Sequence, residues 1–304
     1  MKRTFRIGTR GSQLALWQAN FVQHALEKIY PDHHFDRIII KTEGDQDQNS
    51  SLKTIGGQGV FTKAIELALL RDEIDMAVHS LKDLPSGMTE GLALGAVPVR
   101  GPVEDVLITK EGLPFSALPR KARIATGSIR RQSQLLDKRP DLQISDLRGN
   151  IHTRINKLLD LNLDAIIMAR AALIRLDIQD IHYYTFPIDE MIPAVGQGAV
   201  GIQVRKNDPE VTRLVAALNH QETMAAVTAE RALLHALDSG CQFPVGAHGT
   251  VKKGSLEMVG FVGREDGSKV LVEKIHDEVL RAADAGKRLA EKLIARGALN
   301  ILNT

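Results

Sequence analysis

Residues 4–29, TFRIGTRGSQLALWQANFVQHALEKI, change their period once, and that change sets the fold class. Thr4–Thr9 reads as a short strand and Arg10-Gly11-Ser12 turns the chain. Leu14, Trp17, Phe21, Ala25 and Ile29 then recur at helical spacing and stop before Pro31. Ser12 stands where an N-cap is needed. The unit recurs: Phe35–Thr42 is an isoleucine-rich strand, Thr62–Arg71 a helix, and Asp75–Ser80 a strand running into Leu81-Lys82-Asp83-Leu84-Pro85. Between them, Glu43–Gln58 is polar and glycine-rich without periodicity, which predicts a mobile loop. Alternating strands and helices predict an α/β fold with a mostly parallel sheet.

Pro98, Gly101 and Pro102 interrupt this pattern, and a second α/β lobe opens at Asp105–Thr109. In it, Ala122–Thr126, Leu142–Asp146 and Asp164–Met168 read as strands, and Ile129–Leu136 and Thr153–Leu161 as helices. Ala199–Val204 is a strand placed to return to the first lobe, so two crossovers and a hinge between lobes are expected. Thr212–Leu237 is helical throughout. Ala247–His276 reads as three short strands turning at Gly254 and Gly267, and Val279–Arg296 as a closing helix. The expected domains are 1–98 with 198–216, then 103–193, then a smaller α+β domain over 220–304.

The chain has 304 residues, 43% hydrophobic, with a net charge of +2. That balance argues against a general nucleic-acid or membrane-surface binder. No apolar run approaches the roughly 18 residues of a membrane span, and the amino terminus lacks the apolar core of a signal peptide. A soluble, cytoplasmic, monomeric protein is expected.

Charge is instead concentrated locally. From Arg120 to Arg154 nine Lys or Arg residues face three acids, Asp137, Asp141 and Asp146. Ser128, Arg130 and Arg131 sit between a predicted strand and helix, as do Arg148, Asn150, Thr153 and Arg154, and Arg10 with Ser12 forms a third such turn. Helix amino termini favour anions, and guanidinium forks suit carboxylates and phosphates, so a polyanionic ligand is implied. Asp83, beside Lys82 and just past a strand end, is the candidate acid or base, with His79 read as part of the same turn; a surface Asp–Lys pair is the plainer reading.

Cys241, in 238-DSGCQFPVGAHG-249, is the single cysteine. It is either a buried small hydrophobe or a nucleophile placed in a turn after a helix. Gly196-Gln197-Gly198-Ala199-Val200-Gly201 matches a dinucleotide fingerprint in letters but leads into a strand, so it reads as a backbone turn at the crossover. No P-loop and no zinc-spaced Cys/His set is present, and His33-His34 reads as surface.

Several stretches together resemble the porphobilinogen deaminase (hydroxymethylbilane synthase) family: IGTRGSQLALWQA, AVHSLKDLP, ATGSIRRQ, LRGNIHTR, MIPAVGQGAVGIQVR and GCQFPVGA, in the family's order and nearly end to end. The resemblance implies three domains, the first two like a bilobal periplasmic binding protein. It implies a dipyrromethane cofactor on Cys241 through a thioether, onto which four porphobilinogen units condense with loss of ammonia before hydrolytic release. By the same resemblance Asp83 is catalytic, and Lys82, Asp83, Ser128, Arg130, Arg131 and Arg148 contact the cofactor. Arg10, Ser12, Gln18, Arg148, Arg154 and Arg175 would hold the substrate's acetate and propionate groups. Thr54 and Gln58 stand where family members often carry lysines. Two other classes fit parts of the chain: a bilobal anion receptor, which gives Cys241 and Asp83 no task, and a cysteine hydrolase with His248 as base, for which no orienting acid stands at a familiar spacing.

Overall fold

In a computed structural model of the chain, residues 3–42, 62–238 and 243–302 are described. β1 (Thr4–Thr9) buries Phe5 and Ile7 completely. α1 (Gln13–Ile29) starts at Ser12, whose hydroxyl accepts the Ala15 N–H at 3.3 Å. The buried stripe of α1 is Ala15, Gln18, Ala19, Val22 and Leu26, rotated from the expected one. Phe21 and Ile29 are exposed, and Trp17 stacks flat on Phe21 with ring centroids 5.6 Å apart. The helix turns alanines together with Val22 and Leu26 to the core, and leaves Trp17 half-buried and Phe21 exposed. β2 (His34–Ile39) pairs with β1 as an edge strand, so only Phe35 along it is buried.

α2 (Lys63–Leu70) and β3 (Met76–Ser80) follow, then a 3₁₀ turn over Leu81–Asp83 and β4 (Leu92–Ala96). β4, of sequence LALGA, lacks the β-branched residues that mark strands and is absent from the sequence reading. The next stretch holds β5 (Asp105–Ile108), β6 (Arg123–Ala125), α3 (Ile129–Lys138), β7 (Gln143–Ser145), α4 (Ile151–Asp160) and β8 (Ala165–Ala169). α5 (Arg170–Arg175) and β9 (Tyr183–Thr185), both unforeseen, are short. The chain continues through β10 (Val200–Arg205), α6 (Pro209–Ala216), α7 (Gln221–Ala236), β11 (Val245–Lys252), β12 (Ser255–Gly263), β13 (Val270–Glu278), α8 (Ala282–Ala295) and α9 (Ala298–Leu302).

The single helix expected over 212–237 is therefore two. Its break is held by backbone partners: the Asn219 side chain accepts the Val97 N–H at 3.0 Å, and the His220 N–H donates to Val97 O at 2.9 Å. The second bond takes the N–H that a continuous helix would direct to Ala216 O.

The chain forms two compact units, Met1–Gly101 with Gly198–Met224, and Pro102–Gln197 with Ala225–Thr304. The first holds a five-stranded sheet of order β2-β1-β3-β10-β4. β1, β2 and β3 are parallel and β10 runs antiparallel to both β3 and β4, so four of the five strands share one direction and the mostly parallel sheet carries one reversed strand. Hydrophobic period gives a strand's faces but not its direction. The second unit has a sheet of order β7-β6-β8-β5-β9, in which β5 runs antiparallel to β8 and β9, and an antiparallel sheet β11-β12-β13. The latter buries Leu256 and Met258 in one core with Ala229 and Leu233 of α7 and Leu289 and Leu293 of α8. Burying each leucine side chain contributes about 1.5–3 kcal/mol. Fold class is thus α/β in two lobes, each with its own sheet, plus a smaller α+β domain carrying the third.

Candidate active site

In the first unit β1 and β3 lie parallel and adjacent, so their carboxyl ends open on the same edge of the sheet, where α/β folds place ligands. β1 delivers Arg10 and the α1 cap Ser12, and β3 delivers Ser80 and the turn with Lys82 and Asp83, both half-buried. Arg10, Ser12, Gln18, His79 and Asp83 line one cavity of about 60 Å³. That volume admits one small polar group, such as a carboxylate or an ammonium, rather than a whole ring. Gln18 is 1% exposed and already engaged: its Nε2 donates to Ser80 Oγ at 2.8 Å.

His79 does not belong to the turn, as the sequence suggested, but to β3. Its Nε2 lies 3.2 Å from Gln203 Oε1 of β10. Gln203 Nε2 donates to Glu66 Oε1 at 2.8 Å, and Thr89 Oγ1 donates to Glu66 Oε2 at 2.9 Å. Burial, and secondly the nearby charge of Arg10 against the hydrogen bond to Gln203, lowers the His79 pKa to about 4. The ring is neutral at pH 7.

In the second unit, Ser128 is the N-cap residue of α3, although its side chain caps no N–H, and Arg130 and Arg131 occupy the first turn. Both arginines are buried, and both reach Asp105 at the start of β5. Arg130 Nη2 donates to Asp105 Oδ2 at 2.6 Å and its Nη1 to Ile192 O at 2.5 Å. Arg131 Nε and Nη2 donate to Asp105 Oδ1 at 3.0 and 2.7 Å, and Nη1 donates to Ile167 O at 3.1 Å. Gln197 Nε2 adds a bond to the same oxygen at 2.9 Å. Burial raises the Asp105 pKa, but the two guanidiniums outweigh it and hold the carboxyl far below its usual range. Two buried cations thus share one buried anion, and Arg130 Nε is buried without a hydrogen-bond partner among the described residues. The cluster suits a further anion.

Arg148 Nε donates to Asp146 Oδ2 at 2.7 Å, and Arg154 Nε to Gly149 O at 2.8 Å, while Asn150 caps α4 by accepting the Thr153 N–H at 2.9 Å. Gly149 itself has φ 109°, which favours glycine. Arg175 closes α5, and burial draws its pKa down to about 10. Ser128, Arg130 and Arg131 are therefore gathered at one helix terminus, and Arg148 and Arg154 at the next. Cys241 and the segment 43–58, with Thr54 and Gln58, lie outside the described residues.

Sequence reasoning missed Asp105, Gln197, Gln203, Glu66 and Glu230. The signal was present in two of them: Asp105 heads an otherwise apolar DVLI strand, and Gln203 interrupts VGIQVR, each a polar residue in a run that reads as fully buried. Glu230 is fully buried in α7 and accepts the Gly196 and Gly249 N–H groups, each at 2.8 Å. Its Oε1 lies 3.8 Å from His248 Nδ1, so an acid does stand near that histidine, but its oxygens serve backbone N–H groups. Gly196 and Gly198 have φ of 70° and 80° and lead into β10, which is the turn expected of them. Among the described residues no His, Cys, Asp and Glu cluster suits a metal ion.

The model of the porphobilinogen deaminase dipyrromethane cofactor binding domain matches residues 5–213, and that of the porphobilinogen deaminase C-terminal domain matches residues 224–295. The chain is similar to the porphobilinogen deaminase of Desulforamulus reducens, 45% identical over 302 residues, 99% of this chain and 98% of that one. It is also similar to the porphobilinogen deaminase of Geobacter metallireducens, 47% identical over 300 residues, 99% of this chain and 94% of that one. Among solved structures it is similar to the probable amino-acid ABC transporter extracellular-binding protein YtmK of Bacillus subtilis, with a TM-score of 0.46, 13% identity, and coverage of 72% of this chain and 90% of that one.

Proposed function

The chain belongs to the porphobilinogen deaminase family, and from that premise we propose how its residues divide the work of the reaction. Its activity is that of hydroxymethylbilane synthase, a transferase that condenses porphobilinogen molecules one after another, each losing ammonia, and releases a linear tetrapyrrole by hydrolysis. The cofactor is a dipyrromethane carried covalently on Cys241, the chain's one cysteine. When bound, it supplies a nucleophilic pyrrole carbon at which growth starts.

The observation that carries the residue assignment is the surplus of buried guanidinium: Arg130 and Arg131 against the single carboxylate of Asp105, with Arg130 Nε unpartnered among the described residues. A dipyrromethane bears carboxylates, so this donor set fits it. Ser128, Arg130, Arg131 and Arg148, with Lys82, hold those carboxylates. Arg10, Ser12, Gln18, Arg148, Arg154 and Arg175 receive the acetate and propionate of porphobilinogen. Gln18 does so from the cavity wall, where it also fixes Ser80.

Asp83 is the catalytic residue. Ammonia leaves only from a protonated nitrogen, and the pyrrole methylene left behind is a cation. A half-buried carboxylate on the cavity keeps the proton on the leaving nitrogen and stabilises the charge that develops as the C–N bond breaks. A covalent primer removes the entropy cost of rebinding the growing chain at each step.

The domains follow the family's pattern, with a first lobe over 1–98 and 198–216, a second over 103–193 and a C-terminal domain over 220–304. We place the protein in the cytoplasm as a monomer. A single cysteine, which can form no internal disulfide, fits a reducing compartment. The deciding measurement is intact mass. Freshly prepared protein is expected to exceed the chain mass by a dipyrromethane, and Cys241→Ala to show the bare chain. A bare chain in both would overturn the reading.

A further inference from the structure

Hydrogen-bond direction fixes the tautomer of His79. Gln203 Nε2 points at the Glu66 carboxylate, 2.8 Å away, because the opposite amide orientation would set two acceptors against each other. The Gln203 oxygen therefore faces His79, and at 3.2 Å it must accept from His79 Nε2–H. Nε2 carries the proton and Nδ1 the lone pair. Thr89 secures the far end by donating to the other Glu66 oxygen at 2.9 Å. The chain Thr89, Glu66, Gln203, His79 is buried or part-buried throughout, so water does not scramble it.

The histidine at the end of this chain lines the cavity shared by Arg10, Ser12 and Asp83. A cation and a helix cap there suit a carboxylate, whereas Asp83 suits an N–H donor. We propose that His79 is a fixed, neutral hydrogen-bond acceptor for an N–H of the substrate's ammonium end, and that Gln203 and Glu66 hold it in that state. A neutral acceptor fits a site that must bind a cationic ligand end beside Arg10: it accepts the proton donor without adding charge of either sign. The proposal rests on the reading that porphobilinogen enters this cavity, but its first test does not.

That test is the ¹⁵N spectrum of the holoenzyme, with the His79 signals identified by their loss in His79→Gln. Between pH 6 and 8 the ring is expected as a single Nε2–H tautomer; an Nδ1–H tautomer or a doubly protonated ring would overturn the proposal. Adding porphobilinogen is then expected to shift the Nδ1 resonance, and an unmoved Nδ1 at saturating substrate would overturn the contact. Gln203→Met removes the acceptor that sets the tautomer without replacing a cavity residue. It is expected to mix the two tautomers and raise KM about threefold to tenfold, the worth of one neutral hydrogen bond. A folded Gln203→Met protein with mixed tautomers and unchanged KM would assign His79 a purely structural role. Failure of the proposed function is recognised separately, by a wild-type protein without the pyrrole adduct.

Discussion

Asp105 and Arg131 are joined through one oxygen: Asp105 Oδ1 accepts both Nε and Nη2 of Arg131, at 3.0 and 2.7 Å. Its other oxygen is taken by Arg130. Asp105→Asn keeps the shape and removes the only negative charge in this network among the described residues. Removing one partner of a buried pair is expected to destabilise the protein by about 3–5 kcal/mol, measured by denaturant unfolding. Arg131→Leu and Arg130→Leu, natural choices for testing carboxylate binding, carry the same penalty. Loss of pyrrole loading in either should be read beside its stability. A full-stability Asp105→Asn would contradict the account.

The same carboxyl sets a pH limit. Its folded pKa lies far below the ordinary value of 3.8, so its contribution is fully present above about pH 4 and is lost as pH falls through the folded pKa. Acid unfolding of the wild type is expected to steepen below pH 4, and Asp105→Asn to flatten that limb.

His79 acts over a higher window. A ring with a folded pKa of about 4 against an ordinary 6.5 contributes stability above pH 6.5 and loses it as pH falls towards 4. The loss is on the order of 3 kcal/mol. His79→Asn is expected to remove much of the difference in unfolding free energy between pH 7 and pH 4.5; an undiminished difference would contradict a buried neutral ring.

Asp83→Asn exchanges one oxygen for an amide nitrogen and abolishes the carboxylate's charge. Turnover of porphobilinogen is expected to fall by about 10²–10⁴-fold while the melting transition stays within a few degrees of wild type. Near-normal release of ammonia would refute the assignment.

Gly286 in α8 lies against the backbone of α7. A Cβ added there would stand 2.1 Å from Ala229 O and 2.9 Å from Ala232 Cβ. Since the first of these is main chain, the helices must part. Gly286→Ala is expected to cost about 1–3 kcal/mol in thermal or denaturant unfolding despite its better helix propensity.

Period and punctuation made most of this fold legible. Thr4–Thr9 and the Ser12 cap stand where the sequence placed them, as do the three strands turning at Gly254 and Gly267. What failed depended on distant partners. The break at Asn219-His220 is dictated by Val97, more than a hundred residues away. The α1 stripe was misjudged because Ala15, Ala19, Val22 and Leu26 form a second apolar line at helical spacing, and period alone does not choose between the two. In the site, arginines at helix starts announced an anion, but their buried counter-charge did not. Asp105 appears in the sequence only as one acid before three apolar residues, and its partners lie 25 and 26 residues on.

The place of β10 between β3 and β4 bears on how the chain is made. A ribosome that has released the first hundred residues has released β1 to β4 but not the strand that joins β4 to the rest, so β3 and β4 must wait with unpaired edges. Strands β5 to β9 form a sheet contiguous in sequence and can close during that wait. The amino-terminal unit, first to be translated, is thus bound to complete its sheet after its neighbour's, and slowed synthesis between residues 101 and 200 would prolong the interval in which its edges invite aggregation.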